Sequence, residues 1–471
     1  MATYQVRGGV RAVVTASARK VCLTAATCFA VTHGASVWSM DLLEAYRLAV
    51  QQDAVYLAAV ATAQAGRERL PQASSQFLPN VSAGVTKNNN KLSSTVPNFL
   101  GAEQTTNFNY KSSNQTLQLR QPLFRTYLTA QYRQALAVVQ DVEATLNGES
   151  QNLTVRVSGA YFEAVLSYEQ LTLMLSQKKA LATQLDAAKK AFAAGSVTRT
   201  DVDEAQARYD MALADELEAR QNVSFTARQL EALVNRPVSG LKGIESAALA
   251  LDPPSPNNMQ HWIERAELSS PQLISLKAQV EVAQQELKKA QSGHHPTLDA
   301  VAQHARSESE NILNPSSKYI NNTVGFQFNL PLYAGGYVNS TVRQSLAAVE
   351  RAQQAYEAGR RDLGVRVSKE FRGVTEGILR ITALEQALKS AEQLVTSNSR
   401  SYKAGSRTVV DVLNAEKQLM LVLRDLSQAK YVYLISNLRL LSLTGEANED
   451  AVSRVSAFMQ APVKDDLTTQ K

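Results

Sequence analysis

The chain has 471 residues, 44% of them hydrophobic, a formal net charge of +6 and two cysteines. The charge is concentrated at one end: residues 1–36 hold Arg7, Arg11, Arg19 and Lys20 and no acid, and removing those four leaves +2, with no basic run to follow a phosphate backbone. This composition speaks against a nucleic-acid binder, and the lack of an 18-residue apolar run after residue 36 excludes an α-helical membrane span but not a β-barrel.

Residues 1–36 read as a secretory signal peptide. They have a basic start, a short apolar stretch at Val21–Val31 and small residues at Gly34, Ala35 and Ser36. A cytoplasmic tail is the other reading of this segment. Cys22 and Cys28 both lie inside it, so an exported product carries no disulfide and no thiol chemistry.

A helix is expected over about 39–75. Residues 77–88 then alternate at Val81, Ala83 and Val85, and residues 114–122 at Leu117 and Leu119. Each segment has about the length that a tilted strand needs to cross a bilayer. A polar loop, 89–113, joins them. No proline stands between Pro122 and Pro237. Interior proline breaks a helix, so its absence permits one continuous helix over 127–194, rich in good helix formers and roughly 100 Å long at about 1.5 Å per residue. Gly195 stops it, and Thr200 is expected to cap a return helix over 201–234. A linker, 236–262, follows.

The second half runs the same course. A helix is expected over about 261–292 and strands over 296–306 and 322–331, joined by a polar loop at 307–321. The last strand puts Val324, Phe326, Phe328 and Leu330 on one face and Thr323, Gln327 and Asn329 on the other. A proline-free helix over 338–403 ends at Gly405, with Thr408 or Ser406 capping a return helix over 409–444 and a tail at 446–471. Helices of this length cannot bury themselves in one globule and must pack side by side as coiled coils. Alanines at core spacing (Ala180, Ala187, Ala191, Ala194) let their axes come close.

The halves are copies. Ala194-Gly195-Ser196-x-Thr198 returns 210 residues later as Ala404-Gly405-Ser406-x-Thr408, and Asp201-Val202 as Asp411-Val412. Upstream, Tyr127-x5-Arg133-Gln134 returns as Tyr337-x5-Arg343-Gln344 at the same spacing. A repeat of this length means two copies of one structural unit, here 37–235 and 263–445. Four strands cannot close a barrel, and an open sheet edge is not tolerated in hydrocarbon. Several chains must therefore share one barrel: three give twelve strands, and four chains would also close. Two amphipathic hairpins on a soluble protein satisfy the same periodicity.

No chemistry is encoded along the way. The sequence has no phosphate loop, no GxGxxG after a strand and no GxSxG. His294, His295 and His304 lack a nearby carboxylate at ligand spacing, so a metal site is disfavoured, and no cofactor or catalytic residue is assigned.

Three segments resemble one family. They are Tyr402-Lys-Ala-Gly405-Ser-Arg407-Thr408-Val-Val-Asp411-Val412-Leu413, its counterpart Gly195-x4-Thr200-Asp201-Val202, and Pro331-Leu-Tyr-Ala-Gly335-Gly336 at the strand-to-helix junction. They are similar to the paired turns of TolC-like outer-membrane efflux and type I secretion ducts, over about residues 39–446. The resemblance implies a mostly α fold with a membrane β-barrel part. Long antiparallel coiled-coil helices form an α-barrel through the periplasm, and four strands per chain make a twelve-stranded barrel in a homotrimer. Residues 236–262 and 446–471 then belong to an equatorial belt.

It also implies a periplasmic gate. By motif position Asp201 matches an acid that meets the counterpart of Tyr402, and Thr200 and Asp201 match partners of the counterpart of Arg407. Asp411 matches an acidic ring at the narrowest point. Family members carry a second acid one helical turn later, where this chain has Asn414. The implied function is a passive exit duct in the cell outer membrane, in contact with outer membrane lipid. It would be recruited by a periplasmic adaptor and driven by an inner-membrane ABC exporter or a proton-driven pump. The Tyr-x-x-Gly-x-Arg-Thr turn leans toward type I protein secretion, with multidrug efflux as the alternative. A soluble coiled-coil scaffold is the rival from another class.

Overall fold

The computed structural model describes residues 40–97, 99–245, 249–309 and 317–463. The expected signal peptide, 1–36, lies outside the described residues, as do 310–316 of the second polar loop and 464–471 of the tail. The described residues belong to one compact unit.

Where one helix was expected over 39–75 there are three: α1 (Leu42–Gln52), α2 (Ala54–Arg67) and α3 (Arg69–Ser75). The first break is local chemistry. Asp53 leaves the helical region at ψ 116°, and its carboxylate accepts from the Tyr56 amide at 2.7 Å, capping α2. Strands β1 (Asn80–Pro97) and β2 (Glu103–Arg125) follow. Helix α4 (Thr126–Ala193) spans 68 residues and returns through α5 (Arg199–Val234). After β3 (Lys242–Gly243) the expected helix over 261–292 is again divided, into α6 (Met259–Ser269) and α7 (Pro271–Gln291). Pro271 disfavours helical geometry in Ser270, which sits at ψ 123°. Strands β4 (Thr297–Glu308) and β5 (Lys318–Asn329), helices α8 (Tyr337–Lys403, 67 residues), α9 (Val409–Leu443) and α10 (Glu449–Ser456), and strand β6 (Ala461–Pro462) complete the order.

The architecture is mostly helical, with antiparallel pairs α4/α5 and α8/α9. The return helices span only about half of their partners. Along the remaining length α2 and α3 pack on α4, and α6 and α7 on α8, so each long helix keeps a neighbour. The main core lies at mid-height, around Leu42, Leu153, Tyr161, Leu230, Ile381, Leu438 and Met459. There β3 pairs with β6, Lys242 to Pro462 and Gly243 to Ala461. The Tyr161 hydroxyl lies 2.9 Å from the Met40 carbonyl and accepts from the Lys242 amide at 3.0 Å, so one phenol ties three chain segments together. Burial raises its pKa, which keeps it a donor. Among the described residues no helix is long and apolar enough to cross a membrane.

The four long strands form one antiparallel sheet in the order β1-β2-β4-β5, with β1 and β5 at open edges. The first hairpin is longer than expected. The segment expected as a loop, 89–113, is strand on both sides of the turn, with register running from Asn80↔Arg120 to Pro97↔Glu103. Ladder bonds need only backbone groups, so the strands continue where the apolar alternation has ended. At the sheet's helical end one ion cluster joins the two halves. Arg125 Nε donates to Asp299 Oδ1 at 2.7 Å, its Nη2 to Oδ2, and Arg120 Nε to Oδ2 at 2.9 Å. The Asp299 side chain is 2% exposed.

Candidate functional site at the hairpin tips

The two helical turns are built alike. At the first, Gly195 takes φ +74°, the Gly195 amide donates to Phe192 O at 2.9 Å and the Ser196 amide to Ala191 O at 3.0 Å. At the second, Gly405 takes φ +75°, donates to Tyr402 O at 2.9 Å, and Ser406 donates to Ser401 O at 3.0 Å. This paired bonding satisfies the last carbonyls of α4 and α8, and the left-handed residue it needs is why glycine stands there.

Each return helix then opens with a capping box. Thr198, not Thr200, caps α5: its hydroxyl accepts from the Asp201 amide at 3.3 Å, while Asp201 Oδ2 accepts from the Thr198 amide at 2.9 Å and its hydroxyl at 2.7 Å. Thr408 and Asp411 repeat this at 3.3, 3.0 and 2.9 Å. Thr200 is instead the second helical residue, and exposed. Position decides the matter. A box needs the acid three positions after the cap, and Thr198, like Thr408, has that spacing.

Both acids are held below the usual aspartate range. For Asp201 the main cause is the Thr198 hydroxyl, and for Asp411 the Thr408 amide, with Arg407 adding attraction. Both stay ionised at neutral pH. They differ in what the second oxygen sees: Arg407 Nη1 lies 3.5 Å from Asp411 Oδ1, whereas position 197 before the first box is a valine.

The structure brings Tyr402, Arg407 and Asp411 together on the second tip, and Thr200 and Asp201 on the first. Among the described residues, no hydrogen bond or ion pair within the chain joins Asp201 or Thr200 to Tyr402 or Arg407. Tyr402 is 41% exposed. The two hairpins touch slightly higher. Leu181, Ala212 and Leu413 form a small apolar cluster, Gln184 Nε2 donates to Glu416 Oε2 at 2.8 Å, and Arg208 Nη2 donates to Asn414 Oδ1 at 3.4 Å. Asn414 therefore holds a contact to α5. Nothing in the local sequence signals these cross-hairpin contacts, which join residues more than 200 positions apart. The histidines are dispersed: His294 bonds Asn339, His295 bonds Thr126 and His304 bonds Asn322.

An apolar strand face turned outward, open sheet edges and paired helices of roughly 100 Å define a subunit of a membrane-anchored transport duct rather than an enzyme. The comparisons agree. The outer membrane efflux protein family model matches residues 45–236 and 262–446, and the chain belongs to that family. It is 30% identical over 438 residues to the proteases secretion protein PrtF of Dickeya chrysanthemi, covering 91% of this chain and 94% of that protein. It is 28% identical over 435 residues to the outer membrane protein TolC of Escherichia coli, covering 90% and 86%. The crystal structure of VceC from Vibrio cholerae superposes with a TM-score of 0.70 at 18% identity, over 86% of this chain and 96% of that one. The protein is placed in the outer membrane, with its helices in the periplasm.

Proposed function

We propose that three copies of this chain form an exit duct for type I protein secretion, recruited by a periplasmic adaptor and an inner-membrane ABC exporter. The observation that carries the duct is the incomplete sheet. Four strands expose Val81, Val85, Val324, Phe326 and Phe328 to surroundings that must be apolar, while β1 and β5 stand at the sheet's two open edges. Hydrocarbon forbids such edges, and pairing β5 of one copy with β1 of the next removes them all. Three copies give twelve strands, an even number within the range of outer-membrane barrels.

In this reading residues 1–36 direct export, 37–235 and 263–445 are the repeats, and 236–262 with 446–471 form the equatorial belt. Thr200, Asp201, Tyr402 and Arg407 form the periplasmic gate, and Asp411 forms the acidic ring. The separation of the two tips' residues within one chain supports gate bonds between neighbouring copies. Among the described residues, Arg407 is held only by its own Asp411 at 3.5 Å, a weak exposed pair that leaves the guanidinium ready to exchange partners. Near-complete coverage of a protease secretion protein supports a protein cargo. The family's description as efflux proteins supports the second reading, expulsion of small drugs.

The test is complementation. In a strain lacking its own duct, the chain is expressed with a type I protease exporter and adaptor, and protease is assayed in the medium. Secretion is expected. Restored drug resistance without secretion would favour the efflux reading, and a detergent-purified monomer without conductance would end the duct reading.

A further inference from the structure

The register of the sheet arranges its lipid-facing side chains in rows. Phe124, Leu298 and Phe328 share one row, and Val81, Leu119, Ala302 and Val324 a higher one. The next row holds Ala83, Leu117, His304 and Asn322, and beyond it stand Val85, Gln115, Arg306 and Ile320, then Lys87, Ser113, Glu308 and Lys318. The first hairpin continues alone with Asn89 opposite Lys111 and Lys91 opposite Asn109. The stretch from the Leu298 row to the Val85 row, interrupted by the His304–Asn322 pair and by Gln115 and Arg306, covers eight residues, about 27 Å of strand and about 20 Å of membrane after tilting.

The face thus changes character over two rows. From the Val85 row outward, four successive rows carry Arg306, Lys87, Lys318, Lys111 and Lys91, all exposed. Their one described acid is Glu308, 3.4 Å from Arg306 and 3.5 Å from Lys318. Four positive charges per chain therefore remain unbalanced on a face where the strands alternate outward. A solvated strand needs polar residues there, but asparagine and serine satisfy that need, and they fill the neighbouring positions. The cations instead match a partner with two parts: acyl chains lying against Val85 and Ile320, and negative charge at the height of Lys87 and Lys318.

We infer that this collar binds the phosphorylated headgroups of a glycolipid in the membrane leaflet on the hairpin side. Each copy supplies one arc, and closure of the barrel joins the arcs into a ring. Basic side chains beside an anionic lipid surface attract it individually and weakly, and the attraction adds up over a cluster. Zwitterionic lipid gains little, since each headgroup brings its own ammonium. The inference rests on the proposed barrel, but not on the cargo.

The experiment uses the full chain purified in dodecyl maltoside, with native mass spectrometry and ligand-dependent heat stability as readouts. The probes are bis-phosphorylated lipid A and the same lipid A stripped of phosphate. Wild type is expected to bind the phosphorylated form at least about tenfold more tightly, with the preference fading as salt rises. The variant Lys87→Gln/Lys91→Gln/Lys111→Gln/Arg306→Gln/Lys318→Gln is expected to lose that preference. Lys179→Gln/Lys189→Gln/Lys190→Gln/Lys389→Gln/Lys417→Gln, which removes five exposed helical charges, keeps it. Oligomer mass and bilayer conductance report separately whether the barrel forms. A conducting oligomer that binds both lipids equally, or a collar variant with undiminished preference, overturns the inference.

Discussion

Replacing Asp299 by asparagine should destabilise the junction between barrel and tunnel by about 3 kcal/mol. Asparagine keeps the shape but removes the negative charge that two guanidinium groups share. The loss falls unequally. Arg125 is 17% exposed, so without Asp299 it becomes an uncompensated charge with little access to water. Removing one partner of such a pair costs about 3–5 kcal/mol. Arg120 is 44% exposed and can turn to solvent, and its share is about 1 kcal/mol or less. Asparagine retains one acceptor for Arg125 and offsets part of the loss, which sets the net near the lower bound. The assay is the guanidinium midpoint of the detergent-purified protein, followed by circular dichroism and by the heat-sensitive mobility of the oligomer. Arg125→Gln should cost a comparable amount, and the double variant less than the sum, because the two residues share one interaction. Additive losses, or a midpoint unchanged in Asp299→Asn, would refute the argument. The cluster would then be a solvated contact rather than a tie between the two halves.

At the hairpin tips, Tyr402→Phe with Arg407→Ser is expected to raise single-channel conductance several-fold by releasing contacts between copies; unaltered current removes both residues from the gate. Asp411→Ala should weaken block by trivalent cations by about an order of magnitude, whereas Asn414→Asp should strengthen it by adding a second ring. Strengthened block fails to appear if the new carboxylate is captured by Arg208, which contacts Asn414 at 3.4 Å. The preference for cations should also persist into acid. Both aspartates are held below the usual range, so charge and capping box remain as pH falls through about 4 and are lost only lower. Measured reversal potentials that collapse between pH 6 and 5 would contradict this.

What the sequence revealed depended on how local each cause was. The long helices and their glycine stops are governed by neighbours within a few residues, and the structure places them within one or two residues of expectation; β5 keeps its alternation but begins at Lys318, four residues before the expected 322. Asp53 and Pro271 are local too. Both breaks were legible as an N-cap acid and a helix-starting proline, but helical composition on either side masked them. The N-cap of α5 turned on choosing between two threonines, and only the repeat, in which Thr408 stands three before Asp411, points to Thr198. The outer half of the first hairpin left no apolar signature, because a strand beyond the membrane has no dry face to mark it.

The cluster at Asp299 shows where local reasoning stops. Arg125 and Asp299 lie 174 positions apart, and neither has a neighbour that announces the pairing. They meet because β2 of the first half pairs with β4 of the second, with the register slipping between Pro122 and Phe124. That slip sits one turn of chain before α4 begins, where strand must become helix. A proline without an amide to donate suits the irregularity, and the charged cluster fixes the chain on either side of it. The same residues that interrupt the ladder thus set the angle at which a helix of 68 residues leaves the membrane. Small errors there would be carried about 100 Å to the hairpin tips. If the proposed gate stands at those tips, a rigid junction is what lets weak, exposed contacts there decide whether the duct is open.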